Sequence, residues 1–165
     1  MSMDNDQWTT DSAKLFASSL VQQLVADGLH ITSGYGVEIG NAIISGVLNE
    51  VKQKKYAHFD EYLKLYPFPQ PKPGEDFKEL WHNYRAEIIK DCGAIVFIFG
   101  NKTDKEGNKI VADGMLDEYE VARNQNTIMI PIASTGDAAQ QIFDEMYKNR
   151  HEYNYLTNYW DILKN

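Results

Sequence analysis

Two side chains in the second half of the chain have the chemistry to hold a phosphorylated sugar. Lys102 comes directly after the apolar run 94–99, which is typical of a buried strand, and Glu118 lies four residues after Gly114, one turn into the next predicted helix. A lysine can hold a phosphate, and a carboxylate accepts hydrogen bonds from ribose hydroxyls. Because the carboxyl ends of parallel strands are where ligands bind, this spacing predicts a nucleotide site.

A glycine-rich loop in the first half of the chain is a second candidate for a phosphate contact. Ser33, Gly34, Tyr35 and Gly36 follow a short predicted strand and precede a predicted helix. Glycines allow the backbone to approach a diphosphate, and the helix N-terminus supplies amide donors. The spacing is G-x-G-x-x-x-G and departs from the dinucleotide fingerprint, so a plain tight turn is an equal alternative.

Each charged candidate also has a plainer interpretation. Arg85 lies on a predicted amphipathic helix, where the pattern alone favours a surface arginine. A glutamate in the first turn of a helix, such as Glu118, also stabilises the helix dipole. Lys102 has only its position at the strand exit to indicate a ligand role. The local pattern leaves these alternatives open.

Composition excludes several classes of function. The chain has 165 residues with a net charge of −8, which suits a single domain over 1–165 and argues against nucleic acid as the partner. A lone cysteine, Cys92, cannot form an internal disulfide, and we expect neither a leader nor a membrane-spanning segment. We therefore expect a cytoplasmic protein with no membrane partner. The four histidines lack metal-ligand spacing, so we assign no metal.

Hydrophobic periodicity predicts alternating helices and strands. The expected helices are 12–26, 37–51, 59–65, 77–89, 114–124 and 137–147, and the expected strands are 29–32, 94–99 and 127–132, with a short extended piece at 109–111. Gly40 and Gly46 suggest close backbone packing of the second helix. The order predicts an α/β fold, Rossmann-like, with a mostly parallel sheet covered on both faces. Residues 1–10 and 150–165 are expected to be peripheral.

The predicted order lacks one element of a doubly wound sheet. Such a sheet normally begins with a strand whose exit loop supplies part of the phosphate site. Here the first predicted element is a helix, so the first strand is apparently missing. We expect either that this strand has been cut away or that this version of the fold does without it.

Five segments taken together resemble one protein family. They are 31–36, 62–70, 81–85, 97–102 and 112–118, and they occur in a fixed order. Over roughly residues 8 to 147 the chain resembles the SLOG domain, of the Sir2- and TIR-associating type, of Thoeris antiphage NADase effectors. In that family the domain is the carboxyl-terminal sensor of a sirtuin-like NAD-cleaving enzyme.

The resemblance implies a function for the chain. It implies a modified Rossmann-like fold that binds a cyclic ADP-ribose isomer, a second messenger made by a partner TIR-domain cyclase. Binding changes the assembly of the effector, a homo-oligomer, and switches on its separate NAD-depleting domain. That domain is absent from this sequence, so the resemblance implies a sensor that is not itself an enzyme and uses no cofactor.

The resemblance also assigns roles to residues. It implies that Arg85 and Lys102 meet the ligand's phosphates and that Glu118 accepts ribose hydroxyls. Gly34 and Gly36 are expected to allow close approach of the ligand to the backbone. The full set of expected ligand-binding residues, with none catalytic, is Ser33, Gly34, Tyr35, Gly36, Arg85, Lys102, Gly114, Met115 and Glu118.

Two other functions remain open at the level of sequence. The family is distantly related to lysine-decarboxylase-like (LOG) phosphoribohydrolases, whose signature is P-G-G-x-G-T-x-x-E. Residues 114–118 keep its last five positions loosely, but the preceding Pro-Gly-Gly is absent and Met115 replaces the threonine. This altered loop argues against a nucleotide hydrolase. The third function is a stand-alone binder that sequesters the signal.

Overall fold

The computed structural model describes residues 8–36, 39–54 and 58–165. Its contacts divide the chain into two compact units, which we call the N-terminal unit, up to Glu75, and the C-terminal unit, Asp76–Asn165. Each unit contains one pair of parallel strands.

The N-terminal unit joins two parallel strands through helices. Its elements are α1 (Thr10–Ala26), β1 (Ile31–Ser33), α2 (Gly40–Val51), α3 (Phe59–Tyr62) and β2 (Leu63–Leu65). β1 and β2 pair in parallel, with Ile31 opposite Leu63 and Ser33 opposite Leu65. Parallel neighbours require a crossover connection, which α2 and α3 supply here. α1 begins at a capping box formed by Thr9 and Ser12.

The core of this unit lies where α1 packs on α2. Ala13, Ala17, Val21 and Val25 recur every four residues on α1 and are buried, which places them on one helix face. The two helices approach so closely that a Cβ on Gly46 would overlap the backbone carbonyl of Ser18. The close packing suggested by this glycine is therefore confirmed.

The C-terminal unit contains a second parallel pair and an antiparallel hairpin. Its elements are α4 (Phe77–Lys90), β3 (Ala94–Phe97), β4 (Asn101–Thr103), β5 (Lys109–Val111), α5 (Asp113–Asn124), β6 (Ile128–Pro131), α6 (Asp137–Lys148) and α7 (Trp160–Lys164). β3 pairs with β6 in parallel, and β4 pairs with β5 in antiparallel register. The hairpin and α5 together form the connection from β3 to β6.

Apolar side chains from strands and helices fill the core of the C-terminal unit. Phe97 of β3, Tyr119 of α5 and Ile142 of α6 are buried in one cluster. The last segment of the chain adds Tyr153, Leu156 and Trp160 to the same cluster. The ring of Trp160 meets Phe143 edge-on, with 5.5 Å between the ring centroids. The aromatic tail therefore packs on its own unit.

The structure confirms the predicted α/β class and corrects the bounds of three elements. Residues 59–65, expected to be one helix, form only the single turn α3 before the chain extends into β2. The strand predicted at 94–99 ends at Phe97, because Phe99 adopts a left-handed backbone with φ 58°. The helix expected at 37–51 begins at Gly40, and residues 37 and 38 lie outside the described part.

Nothing in the described ranges combines the length and apolarity that a bilayer-spanning helix needs. The longest helix among the described residues, α1, has 17 residues.

Candidate functional site

Arg85 projects from α4 onto the start of α5. α4 is capped by Asp76, whose side chain accepts hydrogen bonds from the amides of Lys78 and Glu79, and Arg85 lies in the third turn of the helix. Only 9% of Arg85 is exposed. Its Nη1 donates to Oδ2 of Asp117 at 2.9 Å, and its Nε lies 3.5 Å from Oε1 of Glu118. The arginine is thus a buried cation held by carboxylates of α5, and it is not a surface residue.

Gly114 makes room for this guanidinium. A Cβ at position 114 would lie 2.6 Å from Nη2 of Arg85. Any larger residue at position 114 would therefore displace the guanidinium. The glycine's role within the chain is to let Arg85 cross close to the helix backbone.

Lys102 reaches the same helix start from the hairpin. It lies in β4 with 42% of its side chain exposed, and its Nζ is 2.5 Å from Oδ1 of Asp113. A backbone hydrogen bond from the amide of Ala112 to the carbonyl of Gly100 closes the base of the hairpin directly before α5 begins. Since Asp113 precedes Gly114, both cations lie at the first turn of α5.

Burial and charge shift the pKa of two carboxyls at this point. The hydrogen bond from Lys102 lowers the pKa of Asp113, and Arg85 adds a weaker attraction. Burial raises the pKa of Glu118 even though Arg85 attracts its charged form. A carboxyl with a raised pKa and a cation beside it is typical of a polar site that is partly closed to water.

Among the described side chains at the start of α5, carboxylates outnumber cations. Asp113, Asp117 and Glu118 face the two cations Arg85 and Lys102, so there is one more carboxylate than there are cations. Nδ1 of His82 lies 2.7 Å from Oδ1 of Asp117, so a second side chain of α4 contacts α5. We call the set Arg85, Lys102, Asp113, Gly114, Asp117 and Glu118 the cation–carboxylate cluster.

Met115, also expected to bind ligand, contacts the loop that leaves β3. A Cβ on Gly100 would lie 2.6 Å from Sδ of Met115 and 2.6 Å from Cβ of Ala138. Gly100 also has φ 99°, a backbone conformation that favours glycine. This glycine therefore sets how closely the loop approaches α5 and α6.

The glycine-rich loop of the N-terminal unit is a compact turn. Oγ of Ser33 accepts a hydrogen bond from the amide of Tyr35 at 3.2 Å. Tyr35 has φ 56°, and its hydroxyl donates to Oδ1 of Asn41 at 3.1 Å. The amide of Gly40 donates to the carbonyl of Gly36 at 2.7 Å. These bonds hold the loop against the start of α2.

The glycines of this loop differ in what surrounds them. A Cβ on Gly34 would lie 3.0 Å from the ring of Phe68, and one on Gly40 would lie 2.8 Å from the ring of Tyr35. Within the described ranges, no atom lies within 4 Å of a Cβ placed on Gly36. Gly34 and Gly40 are thus needed for packing, whereas the space beside Gly36 is open.

The structure places the expected residues in two groups. Arg85, Lys102, Gly114 and Glu118 lie together at the first turn of α5, and Ser33, Gly34, Tyr35 and Gly36 lie together between β1 and α2. Met115 follows Gly114 and turns toward the β3 exit loop. Sequence reasoning missed the roles of Asp113 and Asp117. Their spacing of four, from the residue just before the predicted helix 114–124 into that helix, was a signal that they share a face.

A separate cavity lies at the C-terminal end of α6. It has a volume of about 520 Å³ and shares no residue with the cation–carboxylate cluster. Its lining is formed by Tyr147, Lys148, Arg150, His151, Asn154, Thr157, Trp160 and Asp161. Across residues 8–36, 39–54 and 58–165, no three histidine, cysteine or acidic side chains are grouped so as to hold a metal ion.

Comparison with known proteins identifies the family to which the sequence is similar. Residues 2–165 match the sequence profile of STALD, the Sir2- and TIR-associating SLOG family. Three similar curated proteins are each named NAD(+) hydrolase ThsA. The one from Enterococcus faecium is 36% identical over 152 residues, the one from Acinetobacter baumannii (strain 532279) is 35% identical over 153, and the one from Bacillus cereus (strain MSX-D12) is 32% identical over 151.

The matched region is most of this chain but a minor part of each relative. It covers 92%, 88% and 92% of this chain and 30%, 32% and 31% of the three hydrolases, respectively. The chain therefore corresponds to the SLOG part of such a protein and not to a whole hydrolase, as expected from the sequence. The family profile also confirms the predicted Rossmann-like fold type. The chain belongs to the Sir2- and TIR-associating SLOG family.

Proposed function

We propose that this chain is a regulatory domain that binds a cyclic ADP-ribose isomer and does not turn it over. The observation that carries the proposal is the meeting of Arg85 and Lys102 at the first turn of α5. Two cations beside a helix N-terminus form a favourable environment for a diphosphate, because the helix dipole adds to their attraction.

The surplus carboxylate favours a particular class of ligand. A bare phosphate would be repelled by Asp113, Asp117 and Glu118, which together outnumber the cations. A ligand that brings hydroxyl groups with its phosphates gives these carboxylates donors to accept, while its phosphates replace them beside the cations. Ribose diphosphates have this combination, and inorganic phosphate does not.

The relatives indicate what binding would control. Proteins named NAD(+) hydrolase carry this domain as about 30% of their length. In the proposed mechanism the ligand binds one arrangement of the assembled protein more tightly than another and so shifts the population toward an active NAD-hydrolysing state. The signal would come from a TIR-domain cyclase, in an antiphage response, and the assembly would be a homo-oligomer.

The direct test is binding by the 165-residue chain. Isothermal titration with cyclic ADP-ribose, its ribose-linked isomers, linear ADP-ribose and pyrophosphate should give one cyclic isomer that binds most tightly and pyrophosphate binding weakly. Arg123→Ala is a suitable control variant, because Arg123 is an arginine on α5 that pairs with Glu145 outside the cluster. If no ADP-ribose isomer binds, or if pyrophosphate competes equally, the proposal is wrong.

The same samples distinguish a sensor from a hydrolase. Chromatography after incubation with AMP and with each cyclic isomer should show the ligands unchanged. Release of free base that disappears in Glu118→Ala would instead identify a phosphoribohydrolase, with the raised pKa of Glu118 supplying a general acid. A binder that only sequesters the signal would leave it chemically unchanged and, when added in excess, would lower signal-dependent NAD hydrolysis by a full-length relative.

A further inference from the structure

The β4–β5 hairpin that carries Lys102 is attached to α6 by its opposite face. Alternate residues of a strand point to opposite sides, so Asn101 and Lys102 diverge. Lys102 reaches Asp113 of α5, whereas Nδ2 of Asn101 donates to Oδ2 of Asp137 at 2.6 Å. Lys109 of the partner strand lies 3.2 Å from the other carboxylate oxygen of Asp137. One carboxylate therefore holds both strands of the hairpin.

This attachment is buried and locally strained. Asn101 is only 1% exposed, and its Oδ1 is buried without a hydrogen-bond partner in the described part of the chain. Asp137 has φ 54°, a left-handed conformation that costs free energy in residues other than glycine. An apolar residue at position 101 would avoid the unpaired oxygen, but it could not donate to Asp137.

The start of α6 is closed to a ligand of its own. The amides of Ala138 and Ala139 donate to the carbonyls of Gly100 and Phe99, at 3.3 Å and 2.9 Å. The first turn of α6 thus binds the loop between β3 and the hairpin, and Asp137 completes the attachment through side chains. The role of these contacts is to fix the hairpin and not to receive an anion.

We propose that Asp137 is a positioning residue for Lys102. By fixing Asn101 and Lys109 it sets the distance and direction from which Lys102 approaches the first turn of α5. Because Asp137 lies on α6 and Lys102 on the far face of the hairpin, the effect passes through the hairpin backbone. The inference rests on the proposed function, in which Lys102 meets a ligand phosphate.

A double-mutant cycle separates positioning from general stability. Glycine adopts the left-handed backbone freely, so Asp137→Gly removes the carboxylate without adding strain. We expect it to weaken binding of the tightest cyclic ADP-ribose isomer about tenfold, as for loss of one charge-assisted hydrogen bond. Lys102→Met should weaken binding at least as much, and the combination of the two should be no worse than Lys102→Met alone.

Matched variants test whether a loss of affinity in Asp137→Gly comes from a general folding defect. Asp144→Ala removes an acid from the same helix, where its carboxylate accepts a hydrogen bond from Gln140, and should leave affinity unchanged. Lys109→Met should reproduce the loss seen with Asp137→Gly. Full affinity in Asp137→Gly, or losses that add completely to those of Lys102→Met, would overturn the inference.

A second measurement needs no ligand. Amide hydrogen exchange of Asp104 and Ala112, which are bonded to Asn108 and Gly100 across the hairpin, should accelerate in Asp137→Gly. The amides of β6 should be unchanged. If the unmodified chain binds no ADP-ribose isomer, the proposed function fails while this exchange test still decides the positioning role. Unchanged exchange in the hairpin would show that Asp137 does not hold it.

Discussion

The Nη1 of Arg85 lies 2.9 Å from Oδ2 of Asp117, and this contact joins the third turn of α4 to the first turns of α5. The pair is largely buried, since 11% of the arginine side chain and 29% of the aspartate side chain are exposed. A buried ion pair that loses one partner leaves an uncompensated charge, which is strongly destabilising. Arg85 is therefore a structural link between two helices as well as a candidate phosphate ligand.

We expect Arg85→Lys to separate these two roles. A lysine keeps the positive charge near Asp117, but it loses the planar fork that binds phosphate with two hydrogen bonds. Loss of such a bond costs about 1.5–3 kcal/mol, so affinity for the tightest cyclic ADP-ribose isomer should fall about tenfold to a hundredfold. Calorimetry measures this, with Arg123→Lys as the control. Unchanged affinity would remove Arg85 from the site.

Asp113→Asn should strengthen binding of a phosphate ligand. In the free chain Asp113 holds Lys102, so the phosphate has to displace it. Exposed ion pairs contribute about 0.2–1 kcal/mol, and 78% of the Asp113 side chain is exposed, so the gain should be no more than about fivefold. It should shrink as salt is raised, because both contacts are screened. A loss of affinity would mean that Asp113 accepts a ligand hydroxyl.

Glu118→Gln should make the chain more stable and a weaker binder. Burial raises the pKa of Glu118, so the folded state holds the carboxyl proton more firmly than the unfolded state does. The free energy of unfolding therefore falls as pH rises from the usual pKa of a glutamate through the raised pKa of the folded state. Glutamine has no charge to bury. Thermal unfolding should therefore show the variant above the unmodified chain at pH 7, with the difference vanishing as pH falls below the usual glutamate range.

The same substitution removes the acceptor expected to receive ribose hydroxyls. Affinity at pH 7 should fall while stability rises, a combination that indicates a residue retained for function at some cost to stability. Glu120→Gln is the control, since Glu120 is an exposed glutamate on the same helix. Equal melting temperatures at pH 7 would contradict the pKa argument, and equal affinity would contradict the binding role.

The sequence predicted the cluster better than it predicted the elements around it. Lys102 and Glu118 could be found because strand exits and first helical turns are regular positions along the chain. The short strand β2 could not be found in the same way. Leu63 and Leu65 continue the apolar spacing of α3, and only their pairing with β1, more than thirty residues earlier in the chain, makes them extended.

The anchoring of the hairpin also exceeded what local pattern can reveal. Asn101 and Asp137 are 36 residues apart, and each has an ordinary local interpretation, as a loop amide and as a helix-start acid. Their contact depends on how β3 and α6 are arranged in the fold. The left-handed backbone of Asp137 is likewise a result of tertiary packing. Such relationships need coordinates, because propensity and period describe only neighbours along the chain.

Gly114→Ala should impair binding with little effect on stability. The new Cβ would lie 2.6 Å from Nη2 of Arg85, so the end of that side chain must move. The guanidinium is the end of a flexible side chain, so it can shift while staying beside Asp117, and alanine is the better helix former by up to about 1 kcal/mol. We expect at least tenfold weaker binding, by the loss of one charge-assisted bond, at a nearly unchanged melting temperature.

Gly93→Ala is the control for this substitution. Gly93 lies before β3, and no described atom lies within 4 Å of a Cβ placed there. The control should bind as the unmodified chain does. If Gly114→Ala binds normally, the position of the guanidinium is not critical, and the geometric basis of the proposed site would be wrong.

Gly46→Ala should destabilise the N-terminal unit without touching the cation–carboxylate cluster. The new Cβ would overlap the carbonyl of Ser18, which belongs to the helix backbone and cannot rotate aside. Overpacking of this kind costs about 1–3 kcal/mol, because α1 must move away from α2 and separate buried valines such as Val21 and Val47. Chemical denaturation should show the loss. Gly36→Ala, at a position with open space, should unfold like the unmodified chain and lose affinity only if the loop contacts the ligand. An unchanged midpoint for Gly46→Ala would mean that the two helices do not pack as closely as described.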